Sequence, residues 1–339
     1  QTEIKNWTQW DQRNFGTKNS LKTKIGPSGT RALSARKTTR NQKLDPVGPE
    51  SRISPSWTRS RIKEKENMGK IIAVCNQKGG VGKTTITINL GAALNQQGYS
   101  VLYVDADPQG HLTVGLGENK QRMQQTLENL MRCTIMEMDV AAHKDEFLVP
   151  LNSEPKRSLI CSNKMLAGMD YVILQSVDVD GSKVIATALE PYRDEYDYIL
   201  IDCMPSLGSI TTNALNAADS VIVVMNPEYY AVDGFIELMN TLNTLAKNND
   251  NPTAIEGVLY NKDRHQLNNT KMIKATVQDF CANFSSHPRI FETSIPLRCA
   301  YTEATSAGCS IFDYRGKADP VEERQVFTNL AKEILRKAM

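Results

Sequence analysis

The sequence of 339 residues contains no long apolar run, no closely spaced pair of cysteines and only 6% aromatic residues. No stretch approaches the roughly 20 apolar residues that a membrane-spanning helix needs, and the first residues lack the apolar core of a secretory signal. Seven cysteines without a CxxC pair fit neither a disulfide framework nor a zinc site. These absences argue against those classes and lead us to expect a protein of the reducing cytosol.

The net charge of the whole chain is also small, at +2, but it is the sum of two parts of opposite charge. Residues 1–67 carry 15 basic and six acidic side chains, a net charge of +9, which leaves residues 68–339 at −7. Residues 1–67 are polar and show no helical or strand periodicity, so we expect a disordered basic extension. Residues 68–339 are long enough to bury a substantial α/β core.

The boundary at Met68 allows two interpretations of the extension. The run Lys63-Glu64-Lys65-Glu66 would be encoded almost entirely by purines, as expected of a bacterial ribosome-binding site upstream of a start codon. We favour the hypothesis that Met68 is the native start and that residues 1–67 are upstream sequence read in frame. The alternative is a genuine basic arm that contacts nucleic acid.

From Met68 onward short apolar strands alternate with helices, which predicts an α/β fold with a mainly parallel, twisted sheet and helices on both faces. The predicted strands are 71–75, 101–104, 199–201, 220–224 and 255–260. The predicted helices are 84–97, 210–217, 232–246, 270–284 and a C-terminal helix with apolar positions 327, 330, 331 and 334 facing the core. Residues 118–195 are expected to be mainly helical, with a turn at 178–181.

The strongest motif is the segment 78–85, Lys-Gly-Gly-Val-Gly-Lys-Thr-Thr, between a predicted strand and a predicted helix. Its glycines allow backbone N–H groups to turn toward phosphate oxygens, and the helix N-terminus favours an anion. Lys83 would neutralise the β- and γ-phosphates, the Thr84 hydroxyl would bind Mg²⁺, and Thr85 would hold the α-phosphate. The predicted nucleotide-binding loop consists of Gly79, Gly80, Val81, Gly82, Lys83, Thr84 and Thr85.

Two acidic segments follow predicted strands. Asp105 and Asp107 lie in Asp-Ala-Asp-Pro-Gln-Gly after the second strand, where carboxylates can hold metal-bound water or orient a nucleophile. Asp202 ends the third strand in a Walker B pattern and would contact Mg²⁺ through water. A strand-terminal Asp that merely caps a turn is the alternative.

The sequence resembles the ParA/MinD family of deviant Walker A P-loop ATPases. Gln77 stands where the general phosphate-loop pattern GxxxxGK(S/T) has its first glycine, and Lys78 supplies the additional lysine of that family. The resemblance covers about residues 68–337, including Asp-Cys-Met-Pro-Ser-Leu-Gly at 202–208, where the family usually has proline instead of Met204. It implies that Lys78 is catalytic with Lys83 and reaches across a nucleotide-sandwich dimer. It also implies that Asp107 positions the attacking water, and that Asp105 supports the switch loop and the Mg²⁺ shell.

The same resemblance implies a function in partitioning. Asn261 and Pro296 would flank the adenine of ATP. An ATP-dependent homodimer would bind DNA without sequence preference. A ParB-like partner would stimulate its Mg²⁺-dependent hydrolysis of ATP. Repeated hydrolysis would move a plasmid or chromosome over the nucleoid in the cytoplasm.

No helix-turn-helix domain is recognised before the predicted ATPase, as in small Soj-like relatives. No membrane-binding helix is recognised after position 334, so we expect no membrane partner.

Candidate DNA contacts are basic residues of the C-terminal third. We expect Arg264 and Arg298 first, then Lys271 and Lys274, while a mixed solvated surface is the alternative. The wider set of basic candidates also includes Lys262, Arg289 and Arg315.

Three other functions remain open from the sequence. One is a MinD-like ATPase that cycles on a membrane, and another is a ParA-like ATPase that positions a protein cargo. The third is a small-molecule enzyme or reductase of the wider P-loop class, such as a relative of the nitrogenase iron protein, which would need cluster-binding cysteines at a dimer interface.

Overall fold

The computed structural model describes residues 68–151, 154–176, 180–248, 253–264, 267–316 and 318–338. The predicted extension at 1–67 lies outside these ranges, as does part of the predicted turn at 178–181. The strands are β1 (Lys70–Cys75), β2 (Val101–Ala106), β3 (Val149–Leu151), β4 (Arg157–Ile160), β5 (Tyr198–Cys203), β6 (Ser220–Met225), β7 (Ala254–Asp263) and β8 (Ile295–Pro296).

Within the described ranges these strands form one eight-stranded sheet in the order β3-β4-β2-β5-β1-β6-β7-β8. Every pairing is parallel except that of β3 with β4. The helices are α1 (Lys83–Gln96), α2 (His111–Gly115), α3 (Leu127–Ile135), α4 (Val140–His143), α5 (Met169–Gln175), α6 (Val184–Leu189), α7 (Ser209–Ala217), α8 (Ala231–Asn248), α9 (Asn268–Asn283), α10 (Cys299–Ser306) and α11 (Val321–Ala338).

Two hydrophobic clusters, one on each face, hold the helices to the sheet. Along β1, Ile71 and Ala73 contribute to one cluster, whereas Ile72 and Val74 contribute to the other, as the two-residue period of a strand requires. Helices α3 and α5 to α9 cover the first face, and α1, α2, α10 and α11 cover the second. The predicted fold class is therefore confirmed.

The C-terminal helix packs as its apolar spacing predicts. All four predicted positions of α11 are buried: Phe327, Leu330, Ala331 and Ile334. Helix α11 packs against α1, the helix that follows the candidate phosphate loop. Packing on the second face thus supports the element that carries the loop.

The expectation of mainly helical structure in residues 118–195 holds for the part that forms α3 to α6, and the segment that contains β3 and β4 departs from it. Each of these strands has at most four residues, too few to show an apolar period. Strand β4 is fixed by parallel pairing with β2 and by burial of all four of its residues. Tertiary pairing, rather than local pattern, decides this part of the fold.

No helix in the described part of the chain is both long and apolar enough to cross a membrane.

Replacing Phe327 by Ala should lower the free energy of unfolding by about 3–5 kcal/mol, because it leaves a cavity in the second face. Phe327 is fully buried and packs edge to face on Tyr301, with ring centroids 5.5 Å apart. Urea denaturation measures the change, and Val321→Ala at the exposed start of α11 is the control. A loss below about 1 kcal/mol would contradict the packing described here.

Candidate functional site

The loop between β1 and α1 lies at the carboxyl end of the central strands and has an open inner side. Gly80 has φ +73° and Gly82 has φ +95°, values that favour glycine. A Cβ atom at Gly82 would lie 2.1 Å from the Asn261 amide nitrogen, whereas a Cβ atom at Gly79 or Gly80 would meet only open space. The backbone can therefore close tightly on one side while it leaves a cradle on the other.

The start of α1 presents donors to this cradle. Gly82 is the residue before the helix, and no described side chain caps its first turn. The first N–H groups of an uncapped helix carry partial positive charge and bind anions readily. Lys83 is buried and its Nζ lies 3.5 Å from the carbonyl oxygen of Lys78. A phosphate group would give these donors stronger acceptors, so the loop fits a nucleotide phosphate.

Two buried carboxylates lie beside the loop. Asp105 of β2 and Asp202 of β5 are paired in register on adjacent strands. The Thr84 hydroxyl donates to Asp202 Oδ2 at 2.6 Å. Burial, with the nearby charge of Asp105, raises the pKa of Asp202 to about 8. Burial likewise raises the pKa of Asp105 to about 6. A divalent cation would favour the ionised form of such groups, so the Thr84–Asp202 pair fits Mg²⁺.

Asp105 also shapes the loop after β2. Its Oδ2 accepts the N–H of Thr113 at 2.8 Å and the Thr113 hydroxyl at 2.7 Å, which ties the strand to α2. Asp107 is nearly buried, and its Oδ1 accepts the N–H of Gln109 at 2.8 Å. The two carboxylates are therefore both buried, Asp105 at the end of β2 and Asp107 on the loop that follows it.

Lys78 is held outside the loop. Its Nζ lies 3.1 Å from Glu228 Oε2, and both side chains are about half exposed, at 43% and 58%. An ion pair this exposed contributes little stability. Lys78 can therefore leave Glu228 at small energetic cost.

Sequence reasoning missed two asparagines that hold the phosphate loop. Asn76 follows β1, accepts the N–H of Lys78 at 2.7 Å and donates to the carbonyl of Val224 at 2.5 Å. Asn226 follows β6. When its side-chain amide is turned so that the nitrogen faces the neighbouring carbonyl groups, that nitrogen donates to the Val81 carbonyl at 3.2 Å. The sequence feature that could have identified Asn76 and Asn226 is their position, one residue beyond the end of a buried strand.

The end of β7 reaches the same loop. Asn261 Nδ2 donates to the Val81 carbonyl at 2.6 Å, and Lys262 Nζ donates to the Gly80 carbonyl at 2.7 Å. Pro296 of β8 pairs with the end of β7. The structure thus places Asn261 and Lys262 on the loop, and Pro296 on the strand beside the end of β7.

The candidate DNA contacts differ in how they are engaged. Arg264 and Lys271 are exposed. Lys274 forms an ion pair with buried Asp263. Arg298 Nε lies 3.5 Å from Glu323. Carboxylates lie beside the latter two residues, whereas Arg264 and Lys271 extend into solvent.

The other basic candidates also contact the protein. Arg289 donates to buried Glu256 at 2.8 Å, and Arg315 donates to the backbone carbonyl of Phe312 at 3.1 Å. Among the described residues no cluster of three or more His, Cys, Asp or Glu side chains could hold a metal ion. Cys75 and Cys203 are buried in the sheet.

Comparisons with known proteins agree with this geometry. A family profile described as an AAA domain matches residues 69–255, more than half of the chain. The sporulation initiation inhibitor protein Soj of Bacillus subtilis is 36% identical over 267 residues, which cover 79% of this chain and 98% of Soj. The chromosome partitioning protein ParA of Caulobacter vibrioides is 33% identical over 269 residues, which cover 78% of this chain and 94% of ParA.

A solved structure is similar over the same region. Cobyrinic acid a,c-diamide synthase from Mycobacterium smegmatis, crystallised with an ATP analogue and magnesium, superposes with a TM-score of 0.64 at 26% identity. The match covers 79% of this chain and 94% of the synthase.

Replacing Asp202 by Asn should stabilise the ligand-free protein at about pH 9, because burying an ionised carboxylate without a cation costs free energy. A folded-state pKa of about 8, above the usual 3.8, means that the folded protein holds this proton more tightly than the unfolded chain. The wild type should therefore lose stability as the pH rises toward 8, and D202N should lose less.

Thermal unfolding in EDTA at about pH 6 and about pH 9 measures the difference. D279N, at an exposed position of α9, is the control and should follow the wild type. A D202N protein that unfolds below the wild type at the higher pH would contradict this prediction.

Proposed function

The chain belongs to the ParA/Soj-type family of P-loop ATPases, and from that premise we propose that it binds ATP with Mg²⁺ and uses the nucleotide state to switch its binding to DNA. The observation that carries the proposal is the Thr84–Asp202 hydrogen bond beside an open, glycine-rich loop. This pair joins the start of α1 to a buried carboxylate, as a site for a nucleotide and its cation requires.

In this proposal the loop residues Gly79 to Thr85 bind the phosphates. Lys83 neutralises the β- and γ-phosphates, and Thr85 holds the α-phosphate. Thr84 and Asp202 hold Mg²⁺, which would neutralise charge on the phosphates, and Asp105 supports their surroundings. Asn261 and Pro296 flank the adenine.

Hydrolysis in this proposal depends on two further residues. Asp107 orients the attacking water as the base of the site. Lys78 crosses a nucleotide-dependent homodimer to the partner's phosphates, where its ammonium stabilises the charge of the transition state. Its weak, exposed contact with Glu228 supports this assignment, since little free energy opposes its release.

We further propose that the ATP-bound dimer binds DNA without sequence preference on the nucleoid and that a ParB-like protein stimulates hydrolysis. The similarity to the chromosome partitioning protein ParA of Caulobacter vibrioides supports a partition system. Exposed Arg264 and Lys271 are the strongest candidates for phosphate contacts. Arg298 and Lys274 would first have to leave their acidic neighbours.

DNA binding should follow the nucleotide state. We expect the wild type with Mg²⁺ and ATP to bind a duplex of random sequence at least about tenfold more tightly than with ADP, a coupling of about 1.4 kcal/mol. Lys83→Ala should remove the difference because it cannot hold the phosphates. Fluorescence anisotropy at fixed salt measures both proteins, and Lys332→Ala at an exposed position of α11 is the control.

Each protein is tested as the full chain and as a chain that starts at Met68, because the basic residues 1–67 could bind DNA by charge alone. Equal binding with ATP, with ADP and without nucleotide would refute the switch.

A further inference from the structure

We infer that Lys262 is a positioning residue of the phosphate loop. Together with Asn261 it holds two successive loop carbonyls outward, which turns the N–H groups behind them toward the phosphates. This inference rests on the proposed function, since it adds a part to the same nucleotide site.

The contacts come from neighbouring residues at the end of β7. Lys262 Nζ donates to the Gly80 carbonyl at 2.7 Å, and Asn261 Nδ2 donates to the Val81 carbonyl at 2.6 Å. Both loop peptide bonds are trans. Two successive peptide groups of the loop are therefore fixed by one strand end.

The direction of the N–H groups follows from peptide geometry. In a trans peptide the C=O and the next N–H point in opposite directions. With the carbonyls of Gly80 and Val81 drawn toward β7, the N–H groups of Val81 and Gly82 face away from that strand. An added Cβ atom at Gly80 would meet only open space, so a phosphate can approach this part of the loop.

The backbone of Lys262 is strained. Its φ is +51°, in the left-handed region that a non-glycine residue rarely adopts. The pairing of β7 with β8 is irregular between Asn261 and Asp263, so Lys262 lies at a bulge. Bulges re-aim a side chain beside a functional site. Here the bulge brings an exposed lysine side chain onto the Gly80 carbonyl.

The contact also distinguishes Lys262 from Arg264, two residues later. Both side chains are exposed, but the Lys262 ammonium donates to the loop backbone. A role in DNA binding would need Lys262 to release Gly80. The geometry therefore favours the nucleotide site.

Calorimetric titration with ADP and Mg²⁺ tests the inference. We expect Lys262→Met, which keeps the length of the side chain without its ammonium, to bind ADP about tenfold more weakly, as loss of a charged hydrogen bond predicts. Lys262→Arg keeps a donor and should recover affinity to within about threefold of the wild type. Lys332→Met is the control for loss of an exposed lysine and should bind ADP normally.

Lys262→Gly separates positioning from general stability. Glycine tolerates the positive φ, so the melting temperature of the nucleotide-free protein should stay the same or rise while ADP affinity falls. A purely structural role would move melting temperature and affinity together.

Unchanged ADP affinity in K262M and K262G would overturn the inference, as would losses that only track melting temperature. Normal ADP binding by K262M with weakened DNA binding would also overturn it and would assign Lys262 to DNA. If the wild type itself fails to bind ADP, the proposed function fails instead.

Discussion

The hydrogen bond between the Thr84 hydroxyl and the Asp202 carboxylate joins the start of α1 to the end of β5. It forms only because β1 and β5 are parallel neighbours, so that the loop after β1 and the last residues of β5 meet at one edge. The same register places Asp105 of β2 beside Asp202. The candidate site therefore depends on the order of three central strands rather than on any one motif.

This arrangement is costly for the folded protein when no ligand is bound. The buried carboxylates of Asp105 and Asp202 lie at the carboxyl ends of central strands, and Lys262 has a left-handed backbone conformation. The two hydrophobic clusters offset these costs, since they bury the whole of β1, β5 and β6 apart from Lys70 at the start of β1. A rigid interior thus supports a site whose buried carboxylates a bound cation would favour in their ionised form.

The sequence predicts the central part of the fold well because central strands are buried on both faces and appear as apolar runs. Strands β1, β2, β5 and β6 are of this kind, whereas β3, β4 and β8 are too short to show a pattern. The positions of the phosphate loop and of Asp105 and Asp202 are also predictable, since they lie at or just beyond the carboxyl ends of apolar strands. The roles of Asn76, Asn226 and Lys262 are not, because β6 and β7 reach the loop only through the non-sequential order of the sheet.

The central claim is the proposal that ATP forms a homodimer in which Lys78 contacts the partner's phosphates and so helps to hold the dimer together. Sedimentation velocity with Mg²⁺ and either ATP or ADP tests it most directly, on the wild type and on Lys78→Ala. The account predicts a dimer of the wild type with ATP, a monomer with ADP, and a monomer of K78A in both. Identical sedimentation of the wild type with both nucleotides, or an ATP dimer of K78A as stable as that of the wild type, would contradict it.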